Sequence, residues 1–490
     1  MDNNNSFHNG QYSLFDKITN STVLKLFVIL FLSLILLIPL SLIEDLIEER
    51  KTREQEVSDG IALNWGQDQV VSGPILAIPY QQTIRESSEK NQNTIVQEHQ
   101  QMKWIFILPR TCNIMAKVDP QHLSRGIYES VVYGSHIKLE GTFSKIDPKN
   151  LEIPEENIDW KGSKIILGLE DFKGLGKRPT LSWNNSQFTF DPDLHSFKLF
   201  HQNLVSNIPL AAGQNEQHFT IELDLKGSRS LNFLPLGEQT NIQAEGNWAN
   251  PSFTGAFLPD KRNTQTSSFS ASWEIPSFSR KIPQQWTGDI QPIYHFDENN
   301  RIGDGFNAQR TDQTAPAAKV AADERLTNSD MISIHFLPDV NNYQKTTRVT
   351  KYGILVIVLT FTSLLFTEVI KKKRVHIIQY ILIGVAMVLF YTLLLALSEH
   401  LGFNPAYLIA SMATVLLIGS FIRSITKDWK SALLLSAILA IFYLFIYILM
   451  QLRDYSLIAG TIGIFIILAI LMRVSTKINW YQFDNNHADQ

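Results

Sequence analysis

Among the ionisable residues of the apolar last third of this chain, four are of types that could do chemistry at the ends of its apolar runs: Glu368, His376 and the adjacent pair Glu399 and His400. Carboxylates and imidazoles are the groups that move protons and hold metals, and inside a bilayer they are costly enough to mark ion pathways or relays. Their positions point to something simpler. Glu368 lies three residues before "KKKR" (Lys371 to Arg374), where pairing or snorkelling accounts for it. His376 begins the run "HIIQYILIGVAMVLFYTLLLALSEH", and Glu399 and His400 end it. On a helix the 23 residues from His376 to Glu399 span about 35 Å, so the two cannot share a site along that helix. All four read most simply as boundary residues of membrane crossings; Glu399 and His400 are also candidates for coupling the helices to the rest of the chain. Gln379, Tyr380, Tyr391 and Asn404 offer helix–helix hydrogen bonds, and Gly384 a close helix approach, with packing the simpler role for each.

The region before these helices carries weaker chemistry. It holds no H-E-x-x-H and no G-x-S-x-G, and "GLGKRP" fails as a phosphate loop because Asp171 stands where Gly is required and no Ser or Thr follows Lys177. "DENNRIGDG" (297–305) is oxygen-rich like a calcium loop, but Arg301 occupies a ligand position and a turn is the better reading. His195 and His201, six apart, match no standard metal spacing. "GNWANPSFTGAFLP" sets Trp248, Phe253 and Phe257 close together, either as an aromatic recognition surface or, more simply, as buried turn packing. No catalytic residue, metal site or cofactor is therefore assigned. Cys112 is the only cysteine, which excludes an intrachain disulfide, and the net charge of -4 gives no basic surface for nucleic acid.

Hydrophobic residues make up 44% of the 490, concentrated in blocks long enough to cross a hydrocarbon core about 30 Å thick. The first block, Leu24 to Ile43, exceeds the 7–15 apolar residues typical of a signal peptide, and no small-x-small cleavage site precedes "EDLIEERKTRE", so it reads as an uncleaved anchor. Five more blocks follow: about Gly353 to Ile370, Ile377 to Leu397, Ala406 to Ile422, Ala432 to Met450 and Leu457 to Met472. Lys17, "KKKR", Arg423, Lys427, Lys430, Arg473 and Lys477 fall on one side of the alternation. The positive-inside rule then places both termini in the cytoplasm and the long intervening domain outside, against the local vote of Lys345, Arg348 and Lys351. The expected organisation is a cytoplasmic tail (1–23), an anchor (24–43), an outside domain (45–350), a five-helix bundle (353–472) and a second cytoplasmic tail (473–490).

Within the outside domain the runs 69–80, 103–109, 135–143, 218–227, 269–275 and 331–338 alternate or are rich in β-branched and aromatic residues, with Gly, Pro, Asn and Asp on their flanks. In "HFTIELDL", Phe219, Ile221, Leu223 and Leu225 face one way and Thr220, Glu222 and Asp224 the other, the pattern of a strand packed on one face. The fold class is thus membrane α+β, with a sandwich-like, mainly-β domain. Three stretches have helical spacing: "IEDLIEERKTREQEVSDGIALNWG" after the anchor, "PQHLSRGIYESVV" and "DLHSFKLFHQNL". The polar stretch from about 297 to 330 reads as an exposed loop or disordered insertion.

Several long motifs together resemble the CreD family of bacterial inner-membrane proteins. They are "LIEERKTREQEVSDGIALNWGQDQVVSGPILAIPY", "RGIYESVVYGSHIKLEGTF", "LNFLPLGEQTNIQAEGNWANPSFTGAFLP", "KYGILVIVLTFTSLLFTEVI", the stretch from His376 to Ala410, and "QLRDYSLIAG", in that order and nearly end to end. The resemblance implies one N-terminal span, a large periplasmic domain and a C-terminal bundle, with links to envelope stress, two-component regulation, colicin tolerance and β-lactam response. It brings no catalytic mechanism. Two departures stand out: Ile377 replaces the Pro common after His376, removing a fixed first helical residue, and the 297–330 stretch is longer than the pattern. The function read from the chain is envelope integrity, non-enzymatic, exercised by binding an envelope protein or cell-wall component through the periplasmic domain, with the lipid bilayer as the other partner. The alternative is a transporter or membrane-embedded enzyme that uses the bundle, since five helices exceed what anchoring needs.

Overall fold

The computed structural model describes residues 22–90, 93–145, 153–213, 216–288, 292–293, 330–336, 342–371, 375–452 and 456–476. The calcium-like stretch 297–305, nearly all of the polar stretch 297–330, the tails and Lys372 to Arg374 lie outside the described residues. Contacts divide the chain into a helical unit, made of residues up to Glu54 and from Val340 onward, and a β unit, Gln55–Asp339.

The helical unit begins with α1 (Thr22–Ile35) and α2 (Leu37–Trp65), the latter passing into the β unit after Glu54. The break between them follows from Pro39, which has no N–H to give the Ile35 carbonyl and whose ring crowds it. The flanking bonds from Leu36 N to Leu32 O and from Leu40 N to Leu36 O survive at 3.0 and 3.3 Å. Next come α3 (Asn342–Lys351), α4 (Gly353–Lys371), α5 (Ile377–Leu401), α6 (Phe403–Thr426), α7 (Trp429–Gln451) and α8 (Ser456–Ser475). The α1–α2 stretch and each of α4 to α8 are long and apolar enough to cross a membrane, as the hydropathy blocks foretold. The α3 helix was not foreseen; its Tyr343, Thr346, Val349 and Thr350 are buried at mixed three and four spacing, and it belongs to the helical unit rather than to the domain before it. At Gly384 a Cβ would come within 2.3 Å of Leu36 Cδ1 and 3.0 Å of the Phe361 ring, so α5 approaches its neighbours only because that side chain is missing.

The β unit is two sheets. The first runs through β1 (Gln69–Lys90), β2 (Asn93–Ile107), β5 (Lys164–Leu169), β8 (Asp191–Asp193), β9 (Gln202–Asn207), β11 (Ser230–Leu234), β13 (Pro251–Gly255), β16 (Gln285–Gly288) and β17 (Ile332–Phe336). Its order is β13-β17-β11-β1-β5-β9-β8, with β2 beside β1 and β16 beside β2. The second is built of β3 (Thr111–Arg125), β4 (Tyr128–Phe143), β6 (Thr180–Trp183), β7 (Ser186–Thr189), β10 (Gln217–Ser228), β12 (Gln239–Gly246), β14 (Lys261–Thr264) and β15 (Phe269–Pro276), in the order β14-β15-β12-β3-β4-β10-β6-β7. Alternate residues from both sheets, such as Ile78, Ile165 and Phe233 from the first and Ile114, Leu139, Ile221 and Trp273 from the second, fill one shared core. Each such side chain, taken fully from water, contributes roughly 1.5–3 kcal/mol. The predicted inward face of Phe219, Ile221, Leu223 and Leu225 is buried there. A second cluster, containing Phe106, Ile166, Phe197, Leu199 and Phe200, covers the other face of the first sheet.

Two helical expectations were wrong. "PQHLSRGIYESVV" is the tip of the β3–β4 hairpin, paired without a break from Thr111 opposite Thr142 to Arg125 opposite Tyr128. Gly126, at φ +68, takes the first of the two turn positions, which is open to glycine at no steric cost. The four-residue spacing of Leu123, Ile127 and Val131 mimicked a helix, and long-range pairing overrode it. "DLHSFKLFHQNL" is irregular chain that ends in β9. The Asp193 carboxylate accepts from the N–H groups of Ser196 and Phe197 at 3.0 and 2.7 Å, and the Asn203 amide donates to the Phe197 and Phe200 carbonyls, both at 3.1 Å. These side-chain bonds replace helical ones and free Phe197 and Phe200 to bury.

Candidate functional site

The bundle gathers ionisable groups that sequence spacing alone did not connect. Lys25, near the start of α1, forms an ion pair with Glu368 near the end of α4 across 343 residues. The Tyr380 hydroxyl of α5 donates to the other carboxylate oxygen at 3.1 Å, and the Val375 N–H donates to the first at 3.2 Å. Three donors, one from α1 and two from the chain around the start of α5, thus satisfy one carboxylate whose side chain is only 1% exposed, while Lys25 keeps 22% exposure. Of the pairing or snorkelling expected of Glu368 beside "KKKR", the structure has pairing, with Lys25 of α1: the carboxylate turns inward and not toward water. Lys371 instead reaches Asp428 at 3.8 Å, and Asp428 caps α7 by accepting from Lys430 N at 3.1 Å and Ser431 Oγ at 2.6 Å. The cap and the Lys371 charge hold the Asp428 carboxyl below its ordinary range, the Ser431 bond being the largest cause.

His376 is the N-cap of α5. Its Nδ1 accepts from the Ile378 N–H at 3.3 Å, and Gln379 Oε1 accepts from the His376 N–H at 3.0 Å, a reciprocal capping box. The Pro that this helix lacks at Ile377 is thereby replaced by side-chain capping, and His376 and Gln379 have a structural task. Near the other end of α5, Glu399 accepts from the Tyr343 hydroxyl at 3.2 Å and lies 3.9 Å from Arg50 Nε; His400 is exposed. These Glu399 contacts lie within the helical unit. Asn404 Oδ1 accepts from Gln451 Nε2 at 3.3 Å, and the Tyr407 hydroxyl donates to the Tyr443 carbonyl at 2.7 Å.

The β unit holds a second charged cluster, unforeseen in the sequence. Arg229, in the one-residue link between β10 and β11 and held at φ +59, donates to Asp59 Oδ1 of α2 at 2.6 Å and to Asp68 Oδ2 at 3.2 Å. Burial works against its charge, but Asp68 and Asp59 outweigh burial and raise its pKa. Asp68 Oδ1 and Arg229 Nε are buried without a hydrogen-bond partner among the described residues. Nearby His335, bonded to Thr254 Oγ1 at 2.8 Å, has its pKa lowered by burial, partly offset by Asp68. Nothing in the sequence marks this cluster: the left-handed conformation of Arg229, where Gly or Asn is usual, is visible only in the structure.

Trp248 and Phe253 pack inward. Phe253 sits edge-on to Trp273 at 5.7 Å and to Phe269 at 6.1 Å, Trp248 lies 5.1 Å from the His122 ring, and both are half-buried against the core. Among the described residues no group of three His, Cys, Asp or Glu is arranged to hold a metal, and His195 and His201 are exposed.

Comparison with known proteins agrees with the architecture. Solved structures of an M1 zinc metallopeptidase from Deinococcus radiodurans (8% identity, 35% of this chain and 40% of that one, TM-score 0.18) and of a two-domain M1 zinc metallopeptidase bound to L-tryptophan (7%, 67% and 94%, TM-score 0.18) are too distant to carry an argument about fold or activity. The Inner membrane protein CreD of Escherichia coli (strain K12) is 29% identical over 455 residues, 92% of each chain. A family model described as Inner membrane protein CreD matches residues 21–481, from the first apolar helix through the last, and the chain belongs to the CreD family of inner membrane proteins.

Proposed function

We propose that this polytopic inner-membrane protein serves envelope integrity by binding, through a β domain held in the periplasm, a protein or cell-wall component of the envelope. The observation that carries this reading is the β1–β2 hairpin. Among the described residues no third strand pairs with Gln81–Lys90 or Asn93–Gln101, although these two stretches stay in register with each other up to Lys90 opposite Asn93. A lone two-stranded ribbon is marginal by itself and presents two open edges, the kind of template to which another chain adds a strand. The domain's core does not require it; a partner would. The periplasmic placement rests on Lys371, Arg423, Lys427, Lys430 and Arg473, which gather at the ends of α4, α6 and α8 and at the start of α7. The family's links to envelope stress and colicin tolerance point the same way.

The test places a photo-crosslinking residue at Gln82 or His99 of the full chain in native envelopes, with Asn241 as a control position, followed by mass spectrometry of captured species. Capture from the ribbon but not from the control is expected; equal capture from both, or none, overturns the reading. Protection of the β domain from protease added outside spheroplasts tests the orientation, since an outside domain must be cut.

A second reading, a transporter or membrane-embedded enzyme, is favoured by the Lys25, Glu368 and Tyr380 constellation, since α1, α4 and α5 meet at one buried carboxylate. Glu368→Gln that leaves the fold intact yet abolishes a proton or ion flux in proteoliposomes would select it.

A further inference from the structure

At one end of the second sheet, β3, β12, β15 and β14 bring Lys117, Glu245, Ser270 and Asn263 side by side in one cross-strand row. Because strand side chains alternate and the neighbouring Val118, Ala244 and Phe269 point into the core, this row faces outward. Beyond it Asp119, Asn247, Gln265 and Ser268 rise around a concavity of about 480 Å³, within the size range of small-molecule sites. The rim is kept in shape by the Gln265–Ser268 turn, in which Gln265 N donates to Ser268 O at 2.8 Å.

We propose that this cleft binds a neutral saccharide; the inference rests on the reading that the β domain acts by binding. Charge selects the class. Lys117 and Glu245 pair at 3.1 Å and balance, leaving Asp119, so the lining is net negative and disfavours an anionic ligand. An apolar ligand would strip water from amides and hydroxyls without replacing those bonds. The carboxamides of Asn247 and Asn263 each offer a donor and an acceptor on one plane, Gln265 offers its amide N–H groups while its Oε1 accepts from Ser268 Oγ at 3.4 Å, the Ser270 hydroxyl donates and accepts, and Asp119 accepts. A ligand rich in hydroxyls, each of which also donates and accepts, answers that set. Phe269 closes the floor of the cleft from the core side and its ring is buried there, so the contacts left to a ligand are polar ones.

The experiment uses the full chain in a detergent without a sugar headgroup, because a glycoside detergent would occupy the site it is meant to leave open. N,N′-diacetylchitobiose and cellobiose are titrated by calorimetry, with inorganic phosphate as an anion probe. Saturable binding of either sugar is expected, weakened about tenfold by Asn263→Leu and by Asn247→Leu, the loss that follows when one well-made hydrogen bond goes. Both residues are exposed, so unchanged thermal midpoints verify folding. Preference between the two sugars reports whether acetamido groups are read. Absence of sugar binding, binding that the variants leave unchanged, or phosphate binding in its place overturns the cleft assignment. If crosslinks from the ribbon succeed while both sugars fail, the cleft inference falls and the binding reading stands; if sugars bind and the ribbon captures nothing, the ribbon argument falls and the cleft remains.

Discussion

Replacing Lys25 with Met removes the cation from a carboxylate that cannot reach water. Glu368 is 1% exposed and would keep only the Tyr380 hydroxyl and the Val375 N–H as donors. Breaking a buried pair from the side that leaves the charge stranded costs about 3–5 kcal/mol. The converse change is milder: in Glu368→Gln the surviving Lys25 is 22% exposed and near a helix start, where its stem can turn the ammonium toward the interface, so a cost of about 1–2 kcal/mol is expected, chiefly from weakened hydrogen bonds. The double variant removes both charges and should recover most of the Lys25→Met loss, giving a coupling energy of about 2 kcal/mol or more in the cycle. The assay is reversible unfolding of the full chain in mixed detergent micelles, followed by tryptophan fluorescence and by protease sensitivity of α1. The reasoning is refuted if Glu368→Gln costs as much as Lys25→Met, or if the double variant is no more stable than Lys25→Met alone.

Three further outcomes follow from other contacts. Burial keeps His335 harder to protonate in the folded chain than in the unfolded one, so the unfolded state takes the proton first and stability falls as pH drops below about 6.5. His335→Gln, which can keep a bond to Thr254, should flatten that decline between pH 7 and the lowered folded pKa in thermal melts; an unaltered slope would exclude His335 as its source. Gly384→Val drives carbon into Leu36 and Phe361 and should destabilise the helical unit by about 1–3 kcal/mol, read as a lower midpoint in the same unfolding assay. Cys112 is 2% exposed and burial pushes its thiol up to about 12, so a maleimide should label it only after denaturation, and rapid labelling of native protein would contradict its place in the core.

What could be read from the sequence was what local pattern encodes. An apolar run of Ile377 to Leu397 can only be long and helical in a bilayer, and alternation from His218 to Leu225 can only bury one face of a strand, so helices, strands and fold class followed from periods of 3.6 and 2. The same logic misled where two periods coexist: Leu123, Ile127 and Val131 fit a helix, and only fifteen cross-strand pairs between β3 and β4 decided otherwise. The site was less legible than the fold. Glu368 and His376 were singled out as ionisable residues in an apolar setting; the cap that His376 makes with Ile378 and Gln379 is local and open to a sequence reading, whereas the inward ion pair of Glu368 depends on a partner that no spacing reveals. Lys25 and Glu368 are lone charges at helix ends that topology puts on one side of the membrane, a hint available in principle; Arg229, Asp59 and Asp68 offered none. Sequence by itself determined which segments leave water and which faces turn inward, because burial is set by each residue's own chemistry. Tertiary structure alone decided which charges meet, because an ion pair across 343 residues is fixed by how helices pack and not by anything either residue's neighbours encode.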